Sequence, residues 1–195
     1  MTLNDYDERE AAQRAFEAII EARHAGVPAA VMALLSAPAS YLTLTPARNA
    51  VREFMVDAPG TLILAGPVGT GKTVAACSAF LRQRGLFVRA AHLSRLGWFD
   101  EDAWRPYERA ALLVVDDLGT EYFDAKGGGQ AQWETFFDLR HSELRRTICT
   151  TNLTADEFKS RYSEKWRDRL AERGAFVCLT GQSMRREVPM RREAP

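Results

Sequence analysis

From residue 61 onward, short apolar runs alternate with longer stretches whose apolar positions recur at helical spacing. Runs that are apolar on both faces are typical of strands in a buried parallel sheet. Their alternation with helices predicts an α/β layered domain, and the predicted elements leave no room for a second domain. The five predicted strands are Thr61–Ala65, Leu86–Ala91, Ala111–Asp116, Thr147–Thr151 and Phe176–Leu179.

Residues 1–45 carry a different pattern and predict a short helical N-terminal extension. Asp5 and Glu8 have the spacing of a capping box, and residues 5–25 follow a helical period with one apolar stripe. Gly26 and a proline end that helix, and a short helix is expected in the proline-punctuated segment that follows. The stripe suits packing on the core and docking a partner equally well, so both interpretations stay open.

Composition excludes several classes of protein. The 195 residues hold 26 basic and 26 acidic side chains, so any contact with nucleic acid would need a local basic patch. The three cysteines are far apart in apolar runs, which predicts three buried thiols and no zinc site. The acidic N-terminus differs from a secretory signal, and no apolar run nears the ~20 residues of a membrane span. These features predict a soluble cytoplasmic protein with no membrane partner.

The segment after the first predicted strand matches the Walker A pattern in full. Its glycines let backbone N–H groups surround a phosphate, and the helix that begins near Gly71 directs its positive end at the same anion. Lys72 can reach the β- and γ-phosphates, and the Thr73 hydroxyl can hold Mg²⁺. A helix is predicted over 74–84. The predicted nucleotide-binding residues are Gly66, Pro67, Val68, Gly69, Thr70, Gly71, Lys72, Thr73 and Val74.

The third predicted strand ends in two acids, Asp116 and Asp117, which is the Walker B pattern. Open α/β sheets bind ligands at the carboxyl ends of their strands. We expect Asp116 to hold Mg²⁺, directly or through water, together with Thr73. Asp117 is expected to orient or deprotonate the attacking water.

Two further catalytic residues are predicted downstream. Asn152 follows the fourth strand, where its amide would reach the γ-phosphate or the attacking water; a turn-initiating asparagine is the alternative. The helical stretch from Phe158 to Arg173 breaks near Ser163 and carries several arginines, which suit a solvated face paired with acids. One of them would instead reach a neighbouring subunit's γ-phosphate. Arg169 is the first candidate for this arginine finger and Arg167 is the second.

The motifs GPVGTGKT, LLVVDDLG, TICTTNL, DEFKSRYSEKWRDRLAERG and LTGQSMRRE together resemble the DnaC/IstB group of AAA+ ATPases. The resemblance covers roughly residues 60–187. It implies a P-loop NTPase with a five-stranded parallel sheet of the AAA+ order and helices on both faces, with 46–195 as the ATPase domain. It assigns Arg169 to the arginine-finger position, and Arg185 to a sensor-2-like position at the nucleotide.

The resemblance also implies partners. Such proteins assemble into ATP-dependent rings or spirals and bind single-stranded DNA without sequence specificity. DnaC-like members load the replicative helicase, and IstB-like members assist a transposase. Asp117 stands where most AAA+ ATPases have Glu, so we expect slow, assembly-dependent hydrolysis. This chain departs from some loaders in lacking an N-terminal zinc domain, and it ends soon after Arg185, so no separate lid domain is expected.

The residues also favour or disfavour other functions. A nucleotide-binding scaffold with negligible hydrolysis stays open because of Asp117. A small-molecule P-loop kinase is disfavoured by the Asn152 and Arg169 segments, and a GTPase is disfavoured by the lack of an NKxD motif.

Three basic groups are candidate DNA contacts, and each can also be explained as core or solvated surface. They are Arg95 with Trp98 and Phe99; Arg140, His141, Arg145 and Arg146; and Arg185, Arg186, Arg191 and Arg192.

Overall fold

The structure is a computed structural model, and it describes residues 25–35, 45–57, 59–97, 100–123, 128–181 and 183. Nearly all of the helix predicted over 5–25, and the residues Trp98, Phe99 and Arg185, lie outside these ranges. In the described part of the chain, no helix is long and apolar enough to cross a membrane.

Five parallel strands form one sheet in the order β2-β3-β4-β1-β5. This confirms the predicted α/β fold and strand count. Only the first strand has both of its predicted bounds, and the other four differ by one or two residues at one or both ends. For example, Ala90 already begins a helix, and the third strand continues past Asp116. The strands are β1 (Thr61–Ala65), β2 (Leu86–Arg89), β3 (Leu112–Leu118), β4 (Arg146–Thr151) and β5 (Gly174–Cys178).

Helices connect the strands, and several of them begin at polar caps. The side chain of Thr154 accepts the N–H of Glu157, whose carboxylate accepts the N–H of Thr154, as the predicted capping box requires. Ser163 caps the next helix, at the predicted break. The described helices are α1 (Ala29–Leu35), α2 (Pro46–Phe54), α3 (Lys72–Cys77), α4 (Ala90–Leu93), α5 (Glu101–Arg109), α6 (Gly128–Ser142), α7 (Ala155–Arg161) and α8 (Glu164–Arg173).

Helix α3 is shorter than predicted. It begins at Lys72 and passes at Ser78 into a 3₁₀ turn, Ser78–Leu81, instead of continuing to residue 84. The Ser78 hydroxyl donates to the carbonyl of Ala75 at 2.6 Å, and a serine that bonds back to the preceding turn weakens regular helix.

The hydrophobic core lies in two layers, one on each face of the sheet. Leu62 and Leu64 of β1 pack with α1, α2 and α3, whereas Ile63 packs on the opposite face with α4 to α8. The second layer is rich in aromatic rings, such as Trp133 and Phe137, whose ring centroids lie 5.4 Å apart. Helices therefore cover both faces of the sheet, as predicted. The ends of the strands are left open.

Residues 25–35, which the sequence assigned to the extension, belong to the first of these layers. Val27, Met32 and Leu35 are buried in it. The backbone N–H of Phe87 donates to the carbonyl of Ala25 at 2.8 Å, so this segment is tied to β2 as well. For these residues, packing on the core is the observed arrangement.

Arg140 is a structural residue, which corrects its interpretation as a candidate DNA contact. It is 1% exposed, and its guanidinium donates to the Thr147 hydroxyl and to several backbone carbonyls, including those of Tyr107 and Ala110. Burial, and secondarily Arg145, lower the pKa of Arg140 to about 9, which leaves it charged at neutral pH.

The prediction of three buried thiols is wrong for one cysteine. Cys77 and Cys149 are buried, and burial raises the pKa of both thiols. Cys178 is exposed because it ends β5, an edge strand that pairs with β1 alone in the sheet.

Candidate functional site

The sheet brings the ends of three strands together. Strand β4 lies between β1 and β3, and Thr151 at its end is in register with Ala65 of β1 and with Leu118 of β3. The loops that leave these strands therefore start side by side at one edge of the sheet, where parallel α/β sheets bind ligands. The Walker A loop follows β1, Asn152 follows β4, and the two acids lie in the last part of β3.

The loop between β1 and α3 has a backbone that only glycine adopts easily. Gly69 and Gly71 have φ angles of 88° and 80°. A Cβ at Gly69 would overlap the Ser183 side chain, so Ser183 lies directly against this loop. Gly71 is the N-cap of α3 and supplies no capping side chain, which leaves the first N–H groups of the helix facing the loop.

Lys72 is buried within the loop, with only 6% of its surface exposed. Its Nζ donates to the carbonyls of Gly66 at 2.7 Å and Pro67 at 2.8 Å. It also donates to Oδ1 of Asn152 at 3.0 Å, which places the predicted lysine and asparagine in direct contact. The ammonium is thus held at the centre of the loop by neutral acceptors that a phosphate would replace.

Thr73 and Asp116 also meet. The Thr73 hydroxyl donates to Oδ1 of Asp116 at 2.8 Å, and the Thr150 hydroxyl donates to the same oxygen at 2.7 Å. Asp116 is 5% exposed. Burial raises the pKa of the Asp116 carboxyl, the nearby Asp117 adds to the rise, and the two hydroxyl donors oppose it.

Asp117 is set apart from Asp116 by its backbone. Its φ angle is 59°, and the β3–β4 register shifts between Val115 and Leu118, which marks a bulge at the two acids. Asp is one of the residues that tolerates this left-handed conformation. The bulge leaves Asp117 half-buried at the strand end, whereas Asp116 points into the protein.

The side chains at this site are suited to binding Mg²⁺ as in a P-loop protein. Thr73 and Asp116 offer a hydroxyl and a carboxylate oxygen within contact of each other, and Mg²⁺ commonly takes one or two such protein ligands, with phosphate and water oxygens completing the shell. No cluster of three or more His, Cys, Asp or Glu residues that could hold a metal occurs in the described ranges. The donor set therefore suits a metal delivered with a nucleotide.

Glu121 is a site-adjacent residue that the sequence did not single out. Its side chain is fully buried and accepts from Nε of Arg161 at 2.8 Å, the Tyr162 hydroxyl at 2.6 Å and the N–H of Gly119 at 2.8 Å. These bonds anchor the loop after Asp117 to α7. An acid just after a glycine looks like a solvated loop residue, so no sequence pattern pointed to this role.

Arg169 lies away from these residues, on α8. Its guanidinium pairs with Asp138 at 3.0 Å and with Glu172 at 3.3 Å, and the side chain is 44% exposed. The Arg169 guanidinium therefore lies on the protein surface, away from the Walker A loop of the same chain. Arg167, the second candidate, bonds through Nε to the carbonyl of Ser163 at 3.3 Å.

Comparison with known structures identifies the fold. A DnaC helicase loader is 23% identical over 73% of this chain and 89% of that one, with a TM-score of 0.54. DnaI is 18% identical, covers 70% and 81% of the two chains, and gives 0.57. The replication initiator DnaA, bound to AMPPCP and single-stranded DNA, is 17% identical, covers 74% and 46%, and gives 0.55.

The chain has the AAA+ fold. Its likeness to these loaders and initiators matches the resemblance stated from the sequence motifs. It spans most of the length of the DnaC and DnaI structures but less than half of DnaA. No sequence profile of a protein family matches the chain, and no curated protein has a significantly similar sequence.

Proposed function

We propose that this chain is an ATP-binding, slowly hydrolysing AAA+ protein that acts as a helicase loader on single-stranded DNA in replication. The observation that supports the proposal is that four predicted residues lie in contact, in two pairs, at the carboxyl ends of the strands. Lys72 contacts Asn152, and Thr73 contacts Asp116, across loops that are distant in sequence. Chance Walker-like motifs would not assemble into one site in this way.

The chain's residues divide the work of binding. The glycine loop and the start of α3 present backbone N–H groups to the phosphates, and Lys72 adds a positive charge that is already in place. Mg²⁺, when bound with ATP between Thr73 and Asp116, would neutralise charge on the phosphate oxygens. Asn152, next to Lys72, is positioned to sense the terminal phosphate.

Hydrolysis is assigned to Asp117 together with a neighbouring subunit. Asp117 is the half-buried acid at the end of β3, so it is the carboxylate placed to orient or deprotonate a water. It is one methylene shorter than the Glu usual in AAA+ proteins, which supports slow turnover. Arg169, exposed on α8, acts in trans in a ring or spiral. Arg185, outside the described residues, is assigned to the nucleotide by the sequence resemblance.

The kind of partner follows from the neighbours. One similar structure is described as the DnaC helicase loader, and this chain covers 89% of that chain. The DnaA structure contains single-stranded DNA, which supports a sequence-independent contact with single strands. A replicative helicase is therefore the proposed partner in the cytoplasm. An IstB-like helper of a transposase is the second candidate, and a scaffold with negligible hydrolysis is the third.

The test is a pull-down of the replicative helicase encoded with this chain, carried out in the presence of ATP and Mg²⁺. Full-length protein should retain the helicase, whereas Lys72→Ala should not. A variant lacking residues 1–24 asks whether that segment docks the partner; the deletion stops there because Ala25 is bonded to β2. Failure of the folded, ATP-bound protein to retain the helicase, with retention of a co-encoded transposase, would overturn the loader in favour of the helper.

A further inference from the structure

Thr150 occupies a central place in the site that none of the motifs assigns to it. It lies on β4 two residues before Asn152 and is fully buried, with 0% of its surface exposed. Its Oγ1 donates to Oδ1 of Asp116 at 2.7 Å and accepts the backbone N–H of Asp117 at 3.0 Å. One hydroxyl therefore bonds to both acids of the Walker B strand.

The direction of these two bonds is dictated by chemistry. A backbone N–H only donates, so the lone pair of Thr150 must face Asp117; an ionised carboxylate only accepts, so its proton must face Asp116. The hydroxyl rotor is thereby fixed. The same carboxylate oxygen accepts from Thr73, so Thr150 holds Asp116 in the orientation that meets the loop.

The second bond supports an unusual backbone. Asp117 has a φ of 59° beside a register shift, and this bulge breaks the regular ladder of hydrogen bonds to β4. Its N–H finds the Thr150 hydroxyl instead of a backbone carbonyl. Without that acceptor, a buried N–H would lack a partner, and the bulge would lose a bond that fixes where Asp117 points.

We propose that Thr150 is a positioning residue of the nucleotide site, which holds the Asp116 carboxylate toward Thr73 and fixes the bulge that presents Asp117. This inference rests on the proposed nucleotide site and deepens it. Thr150 touches neither nucleotide nor water in this role; it acts through the two acids.

The same strand offers a matched control. Thr147 is also fully buried, but its Oγ1 accepts from Nε of Arg140 at 2.9 Å at the other end of β4. Thr147→Val and Thr150→Val each remove one buried hydroxyl from one strand without changing its shape. A loss specific to Thr150→Val therefore reports on the acids rather than on strand stability.

The experiment has two readouts. The first is the dissociation constant of a fluorescent non-hydrolysable ATP analogue, measured with Mg²⁺ and with EDTA. Because hydrogen bonds to charged groups are among the stronger ones, Thr150→Val should reduce the Mg²⁺-dependent gain in affinity about tenfold, while Thr150→Ser keeps it. The second is hydrogen exchange of the Asp117 amide in nucleotide-free protein, which should speed up about tenfold in Thr150→Val and not in Thr150→Ser or Thr147→Val.

The outcomes separate this inference from the proposed function. If wild type binds the analogue with a gain from Mg²⁺ and Thr150→Val matches it in both readouts, the positioning role is overturned. If Thr147→Val loses the gain equally, the effect is structural and the role is again overturned. If the wild-type protein does not bind the analogue at all, the proposed function is overturned. Hydrogen exchange of the Asp117 amide then still tests the role of Thr150. Should Thr150→Val not fold, Thr150→Ala replaces it in both measurements.

Discussion

Nζ of Lys72 donates a hydrogen bond of 3.0 Å to Oδ1 of Asn152, a residue 80 positions later in the chain. The contact joins the loop after β1 to the end of β4. It also shows how the lysine is stabilised before a phosphate arrives, because Gly66 and Pro67 supply two further acceptors in the loop. The ammonium is thus buried among three neutral acceptors, which an anion could replace as its partners.

Lys72→Ala should weaken ATP binding by about 100-fold, because the substitution removes a charge-assisted contact to phosphate. Isothermal titration calorimetry measures the change. Lys159→Ala is the matched control, since that lysine is 61% exposed and pairs with Asp156 on the surface. A Lys72→Ala dissociation constant within threefold of wild type would contradict the assignment.

Asp116→Asn should stabilise the nucleotide-free protein while removing its response to Mg²⁺. Burial raises the pKa of Asp116 above its ordinary 3.8, so the folded state binds this proton more tightly than the unfolded state does. The charged carboxylate therefore reduces stability above its folded pKa, and the amide avoids that penalty while its Oδ1 still accepts from both threonines.

The expected size is a rise in Tm of about 3 °C at pH 8. The difference should shrink as the pH falls through the pKa of the folded carboxyl, because the wild-type group is then neutral as well. Thermal denaturation over a descending pH series that starts at pH 8 measures both effects. A lower Tm for Asp116→Asn at pH 8 would show that the carboxylate charge stabilises the fold.

The sheet was predictable because its signal is local. The runs at β1 and at the start of β3 are apolar on both faces, and such runs reveal buried parallel strands without knowledge of their neighbours. Walker A was predictable for a related reason, since its chemistry requires fixed residue types in consecutive positions. The end of β3 was not, because the bulge at Asp117 depends on the register with β4.

The roles of Thr150, Glu121 and Arg140 depend on which groups the fold brings near them. Thr150 looks like an ordinary strand threonine, and its two partners come from the neighbouring strand. Arg140 looks like part of a basic surface, yet carbonyls from the end of α5 and from β4 surround it. A sequence pattern carries no record of such acceptors, so these residues could be recognised only from the tertiary structure.

Asp117→Asn should leave nucleotide affinity within about threefold of wild type and reduce turnover at least 100-fold, the usual scale of a general base. Asn adopts the left-handed conformation as readily as Asp, so the backbone at φ 59° is preserved and only the carboxylate is lost. Phosphate release and analogue binding are measured in parallel. Asp102→Asn, at an 84% exposed side chain, is the control; full activity in Asp117→Asn would assign the base elsewhere.

Arg140→Met should destabilise the fold by about 3 kcal/mol, because carbonyls that the guanidinium satisfies would be left buried without donors. Urea denaturation gives the free energy of unfolding. Arg105→Met is the control, since Arg105 is 48% exposed and pairs with Asp102, a surface acid. A change below about 0.5 kcal/mol, as at ordinary surface sites, would return Arg140 to the list of candidate DNA contacts.

Arg169→Ala tests whether hydrolysis requires a neighbouring subunit. In the single chain, Arg169 bonds to Asp138 and Glu172 on α6 and α8, away from the loop. Its removal should therefore leave ATP binding by dilute protein unchanged, while hydrolysis in the assembled state falls by about 10³-fold, as for other arginine fingers. Arg167→Ala, which alters a neighbouring arginine on the same helix, should retain hydrolysis.

Mixing two inactive variants makes the trans geometry decisive. Lys72→Ala keeps Arg169 but lacks a competent loop, whereas Arg169→Ala keeps the loop but lacks the finger. In a mixed assembly, an Arg169→Ala subunit that binds ATP can receive Arg169 from a Lys72→Ala neighbour, so an equal mixture should recover part of wild-type phosphate release. The surface pairing of Arg169 with Asp138 is weak enough for the arginine to leave it on assembly. Normal hydrolysis by Arg169→Ala alone, or an inactive mixture of variants that co-assemble, would remove Arg169 from the reaction.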